Sequence, residues 1–246
     1  MSNFPFIIQL MKKICLFFAA LFLTFFCWGV EIQLDSRQAF PLPASVNPYT
    51  LGGNKKHSTL NTLPEFYPVG WSKDNKFAWC QSYWLDGAGI NQFDFYIQDL
   101  VEDSIVFEMH QSSEEDIVSI WNQVCNKYSD ELEKHGIVVS KNKFLKFPVK
   151  VKGKKVLVRK IVDELGQDLE TGFNRISYKI VAEKEDRVKI INSAKDVLQQ
   201  DVFVTGCFYS PFENRVAVVL ANEVPGFEGT DIKYSISGCQ LIIGFE

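Results

Sequence analysis

A chain of 246 residues, 46% hydrophobic and 14% aromatic, is long enough to bury one or two cores. Its charged fraction of 23% is ordinary for a globular chain, and its formal net charge of −4 excludes the basic balance of a protein whose main partner is nucleic acid.

In chain order, the first ten residues are apolar and lack a basic residue, and then comes MKKICLFFAALFLTFFCWGV. Lys12 and Lys13 form a positive n-region, Ile14 to Phe26 an apolar h-region, and Cys27-Trp28-Gly29 a cleavage site after Gly29. This pattern predicts a secretory signal peptide over residues 1–29, with Met11 as the functional start. Two alternatives remain open: residues 14–30 as a retained membrane anchor, and Cys27 as a lipidated cysteine, although the preceding Phe26 is bulky. Removing residues 1–29 takes away two lysines and no acid, so the exported remainder is more acidic still.

A single exported, mostly β domain is expected over residues 30–246. Val30 to Leu34 alternates as a short strand, and residues 36–69, rich in Pro, Gly, Asn and Ser, read mostly as loop. GWSKDNKFAW then passes from an aromatic through a polar turn into an apolar strand. Phe93 to Leu100 alternates, with Phe93, Phe95 and Ile97 opposite Asp94, Tyr96 and Gln98, and Ser104 to Met109 returns, which completes a β-meander. Residues 113–135 predict a helix, with Ser112 and Glu115 or Ser113 and Asp116 as a capping pair. Its stripe comprises Ile117, Ile120, Trp121, Val124, Tyr128 and Leu132, and His135-Gly136 is the stop. Residues 141–160 predict a hairpin with one cationic face, turning at Gly153-Lys154. Ile176–Ala182 and Arg187–Ile191 give a second hairpin, Ser193–Gln200 a short helix, and Val202–Tyr209 opens the C-terminal strands.

The motif of the first meander returns as CFYSPFENRVAVV. Trp71-Ser72 answers to Tyr209-Ser210, Asn75-Lys76 to Asn214-Arg215, and Phe77-Ala78-Trp79 to Val216-Ala217-Val218, while Phe93–Gln98 corresponds to Ile232–Ser237. This aromatic-Ser, polar-turn, buried-strand pattern resembles a blade of TolB-type β-propellers. A closed propeller needs more blades than the two copies found, so the expected fold is α+β and mainly antiparallel β, with two blade-like meanders and one packed helix; a degenerate propeller is the alternative. GWSKDNKFAW, WLDGAGINQFDFYIQDL, the central helix and YSPFENRVAVVLANEVPGFEGTDIKYSISG together resemble a family of predicted secreted bacterial proteins of unknown function. That resemblance implies export and a single fold, and it brings no catalytic residue.

No HExxH, GxSxG or CxxC occurs, and His57, His110 and His135 lack ligand-like spacing. Cys80, Cys125, Cys207 and Cys239 allow two disulfides, with Cys207–Cys239 the favoured pair, or four buried thiols. The Gly-bearing loops of the two copies place Asp86, Glu228 and Asp231 where they would form an acidic cluster for a cation such as Ca²⁺ or for acid–base chemistry. The expected role is a non-catalytic, exported envelope protein that binds or scaffolds an envelope protein or polymer; a carboxylate-dependent hydrolase and a lipid-anchored lipoprotein are the competing expectations. Nucleic acid is not an expected partner, and membrane contact would run through residues 14–30 or the basic hairpin at 141–160.

Overall fold

The computed structural model describes residues 41–246, except Asp86, Gly87 and Glu228 and the side chains of Asn126, Lys127 and Tyr128. The predicted signal segment, Cys27, the 14–30 stretch and the Val30–Leu34 strand lie outside the described residues.

Among the described residues, three curled sheets and one long helix build the structure, which is mainly antiparallel β. Sheet I has the order β5-β4-β3-β2-β6 and contains β2 (Glu65–Trp71), β3 (Lys76–Leu85), β4 (Ile90–Asp99), β5 (Ser104–Ser113) and β6 (Val138–Val139). Sheet II has the order β1-β14-β13-β12-β7. It contains β1 (Leu60–Thr62), β7 (Phe144–Leu145), β12 (Asp201–Tyr209), β13 (Arg215–Pro225) and β14 (Thr230–Gln240). Sheet III, order β11-β10-β9-β8, is built from β8 (Val149–Val151), β9 (Lys154–Gln167), β10 (Asn174–Lys184) and β11 (Arg187–Leu198). Only β1 joins its neighbour, β14, in parallel among the described ladders. A short helix α1 (Pro48–Leu51) precedes the sheets, and α2 (Ile117–Lys134) lies between sheets I and III in sequence.

The cores show how these elements stack. Ile120, Trp121, Val124, Cys125 and Leu132 of α2 pack on one face of sheet I, against Cys80, Phe93, Phe95 and Ile97. The other face of sheet I presents Phe66, Trp71, Phe77 and Trp79 to Phe208, Ala217, Val219 and Tyr234 of sheet II. The far face of sheet II sets Cys207, Val216, Val218, Leu220 and Cys239 against Val156, Val158, Ile176 and Ile180 of sheet III. The order of layers is therefore α2, sheet I, sheet II, sheet III. A strand covered on both faces has no solvent side to encode, which is why Phe77–Cys80 and Val216–Ala221 read as unbroken apolar runs and are buried throughout. Outer sheet III keeps the alternation VKVKGKKVLVRK.

The repeated sentence is a structural repeat. Ser72 N–H donates to the Lys76 carbonyl in the first copy, and Ser210 N–H to the Arg215 carbonyl in the second. Leu100 N–H donates to Asn75 O, and Leu241 N–H donates to Asn214 O. Asn75 holds φ +73°, a left-handed conformation that Asn tolerates better than most side chains. Each copy receives one edge strand from the crossover after α2: β6 joins β2 at Gly70, and β7 joins β12 at Phe208. The ladders shift one expected correspondence. Phe77 faces Gln98 while Val216 faces Cys239, so Phe93–Gln98 matches Tyr234–Cys239, because the second copy's hairpin is one residue longer on each strand before it closes at Pro225 and Thr230, against Leu85 and Ile90 in the first.

Other expectations are corrected by the structure. The two middle hairpins join into sheet III, a third meander that carries none of the repeated motif. The β8–β9 turn falls at Lys152-Gly153, both at positive φ as a type I′ turn requires, one residue earlier than expected. Helix α2 begins at Ile117, not at residue 113, because Ser112 and Ser113 still pair with β4. Asp116 is the N-cap, accepting from Val118 and Ser119 N–H at 2.8 and 3.1 Å. The C-terminal stop follows expectation: Gly136 at φ +62° and Ile137 return to the Glu133 and Leu132 carbonyls. The helix expected at Ser193–Gln200 is the end of β11. A bulge at Asp196, φ +52°, lets Ala194 and Val197 both pack inward although they are three residues apart, which imitates helical spacing.

Candidate functional site

Asp86 and Glu228 of the expected acidic cluster fall outside the described residues. Asp231 is a structural carboxylate: its Oδ1 accepts the Thr62 N–H at 3.1 Å, tying β1 to the loop of the second copy. Gly226 is seated against the same carboxylate, where a Cβ would stand 2.8 Å from its Cγ. Among the described residues no three His, Cys, Asp or Glu side chains gather as metal ligands. Cys80, Cys125, Cys207 and Cys239 are all buried. Cys207 and Cys239 lie on β12 and β14 with β13 between them; two strand spacings of about 4.8 Å exceed the Cα separation a disulfide spans. Burial pushes the Cys80, Cys207 and Cys239 thiols above their ordinary range, so they behave as small apolar groups.

Sequence spacing gave the histidines no partners, yet folding supplies each with a carboxylate. His110 Nδ1 lies 2.8 Å from Asp94, which is buried between sheets I and II and also accepts from Gln81 and Gln92. Burial first, and Asp94 second, push the nearby Tyr83 phenol up to about 12. His57 meets buried Glu223 at 3.0 Å, and His135 caps α2 beside Glu131. Alternation along β4 made Asp94 look like a solvent-side residue; the signal that could have found its burial was the second, all-apolar copy able to cover that face.

Among the described residues, the outer face of sheet III is left without a covering layer. The ladders set Leu157 opposite Glu183 and Val188, Arg159 opposite Val181 and Ile190, and Ile161 opposite Lys179 and Ser193. These side chains point away from the core shared with sheet II, and Leu157, Ile161, Leu165, Val188 and Ile190 are 40–58% exposed. Cations outnumber acids around this aliphatic band, where Asp163, opposite Ser177, is an exposed acid on the same face. Lys150 and Lys155 form a cross-strand pair at its β8 end, Lys179 stands in its middle, and Lys195 lies on β11. Like charges placed opposite one another cost stability, so an adjacent Lys–Lys pair is not there to support the hairpin. Residues 141–160 hold nine basic residues and no acid in a chain whose net charge is −4. Arg159 is tied to Glu183 at 2.6 Å, and among the described residues Lys150, Lys155, Lys179 and Lys195 have no ion-pair partner.

Fold and surface thus define an antiparallel β protein of three stacked sheets with a cationic, aliphatic outer face. Comparison with family models, curated proteins and solved structures finds no match for this chain.

Proposed function

We propose that this protein is an exported binding module of the cell envelope that docks on an anionic lipid surface through the outer face of sheet III. The observation that carries the reading is the coincidence, on one sheet face, of half-exposed aliphatic side chains with lysines that have no ion-pair partner among the described residues. Each Lys or Arg brought to an anionic leaflet contributes about 1 kcal/mol, and the aliphatic band gains by entering the headgroup region. A purely polar polyanion would leave Leu157, Ile161 and Ile190 without reward, which favours a bilayer over a wall polymer. A second copy docked face to face across a two-fold axis would set the lysines against each other, which disfavours self-association. Export rests on the N-terminal pattern and on the resemblance to secreted bacterial proteins.

The test is cosedimentation of the folded chain with phosphatidylglycerol/phosphatidylcholine vesicles and with phosphatidylcholine alone. Binding is expected only to the anionic vesicles, weakening as salt rises, and lost in a K150E/K155E/K179E variant whose circular dichroism is unchanged. Equal binding to neutral vesicles, binding by the triple variant, or a concentration-dependent dimer without vesicle binding would each overturn the proposal.

A further inference from the structure

At the edge of sheet II, beside the end of sheet III, lies a cavity of about 660 Å³ that includes His57, Thr59, Asn174, Gln200, Glu223 and Thr230 in its lining. Glu223, on β13, is 5% exposed, and its Oε1 accepts the Thr230 hydroxyl at 2.8 Å. His57 Nε2 stands 3.0 Å from the same oxygen, and its Nδ1 stands 2.9 Å from Thr59 Oγ1. A carboxylate accepts only, so Nε2 carries a proton, and in the neutral imidazole Nδ1 is the acceptor for the Thr59 hydroxyl. Burial falls along the series, from buried Glu223 through half-exposed His57 to exposed Thr59. The Thr59 backbone is fixed as well: its carbonyl accepts the Thr230 N–H at 2.8 Å, and Gly229 approaches so closely that a Cβ would lie 2.2 Å from that oxygen.

We propose that Thr59, His57 and Glu223 form a hydroxyl–imidazole–carboxylate relay that hydrolyses small neutral or cationic esters in this cavity. A hydroxyl becomes a nucleophile when an adjacent base takes its proton and a third group orients that base. Thr59 Oγ1 attacks the ester carbonyl carbon, and its proton passes to His57 Nδ1 while Nε2–H stays on Glu223. Collapse of the tetrahedral adduct breaks the carbon–oxygen bond to the leaving alcohol, which takes the proton from Nδ1. Water, deprotonated by the same nitrogen, then attacks the acyl-threonine, releasing a carboxylic acid and restoring the Thr59 hydroxyl. Thr59 and His57 are the catalytic residues and Glu223 positions the imidazole. Asn174 and Gln200 bring carboxamide donors to the cavity wall, the type of group that holds a developing oxyanion. Glu164 and Asp201 on the same wall disfavour anionic acyl groups. The relay uses none of the lysines of sheet III, so it stands or falls separately from lipid docking.

The experiment treats the full chain with a fluorophosphonate probe, locates the adduct by peptide mass spectrometry, and follows p-nitrophenyl acetate hydrolysis. The expected result is an adduct on Thr59 that persists in T59S and is absent from T59A. H57A and E223Q are expected to slow labelling about 100-fold, the scale of general-base assistance. Thr59 is exposed, so T59A and T59S keep the fold even if E223Q does not. A folded wild-type chain with no adduct on Thr59, or with unchanged labelling in H57A, overturns the relay and leaves His57–Glu223 as a clamp on the 52–59 loop.

Discussion

Asp103 shows how one residue joins the two copies. It sits at φ +53° in the β4–β5 turn, and its Oδ1 accepts Gly238 N–H from sheet II and Gln98 Nε2, each at 3.0 Å. Burial raises its carboxyl above the usual range despite those bonds. A folded-state pKa above the unfolded value means that the protonated acid suits the fold better than the carboxylate. The stability this provides is present below the unfolded pKa and is lost as pH rises through the folded one. Asn keeps the acceptor and tolerates the left-handed backbone. D103N is therefore expected to melt above wild type at pH 7, with the difference vanishing near pH 3; thermal denaturation at the two pH values checks it. Gly238 itself is dictated by the partner sheet: a Cβ there would lie 1.9 Å from the Leu100 carbonyl oxygen.

Among the elements, α2 was the most legible, because its apolar stripe recurs at helical spacing and its stop is spelled by His135-Gly136. Its start was misplaced, since Ser112, Ser113 and Asp116 all suit a cap and only the β4–β5 ladder shows which one is free to act. The helix covers one face of sheet I with Trp121, 1% exposed and edge-on to Phe93 at 6.3 Å. Trp121→Ala is expected to cost about 3–5 kcal/mol, read as a lower midpoint in urea denaturation with a similar slope. The strand β11 was misread for the opposite reason: a bulge changes which residues share a face, and a period of two then looks like three.

For the whole molecule, the stacking order decides what the cysteines do. Cys80 and Cys125 sit in the layer between α2 and sheet I, and Cys207 and Cys239 in the layer between sheets II and III. Because the core between sheets I and II joins these two layers, they are expected to open together. All four thiols should then resist a thiol-reactive dye in the native chain and react in one phase through the denaturant transition. Reaction in two separate pairs would show that the outer layers open independently.

Mainly antiparallel β architecture, helix α2, the duplicated turn-and-strand unit and the cationic hairpin were all determined by local sequence, since periodicity, turn residues and charge act over a few neighbours. Burial of Asp94 and Gln98, the pairing of His57 with Glu223 and of His110 with Asp94, the separation of Cys207 from Cys239 by a strand, and the union of two hairpins into sheet III were decided only in three dimensions. Each depends on which face of a sheet another layer covers. Alternation along a strand separates two faces but does not say which of them meets water.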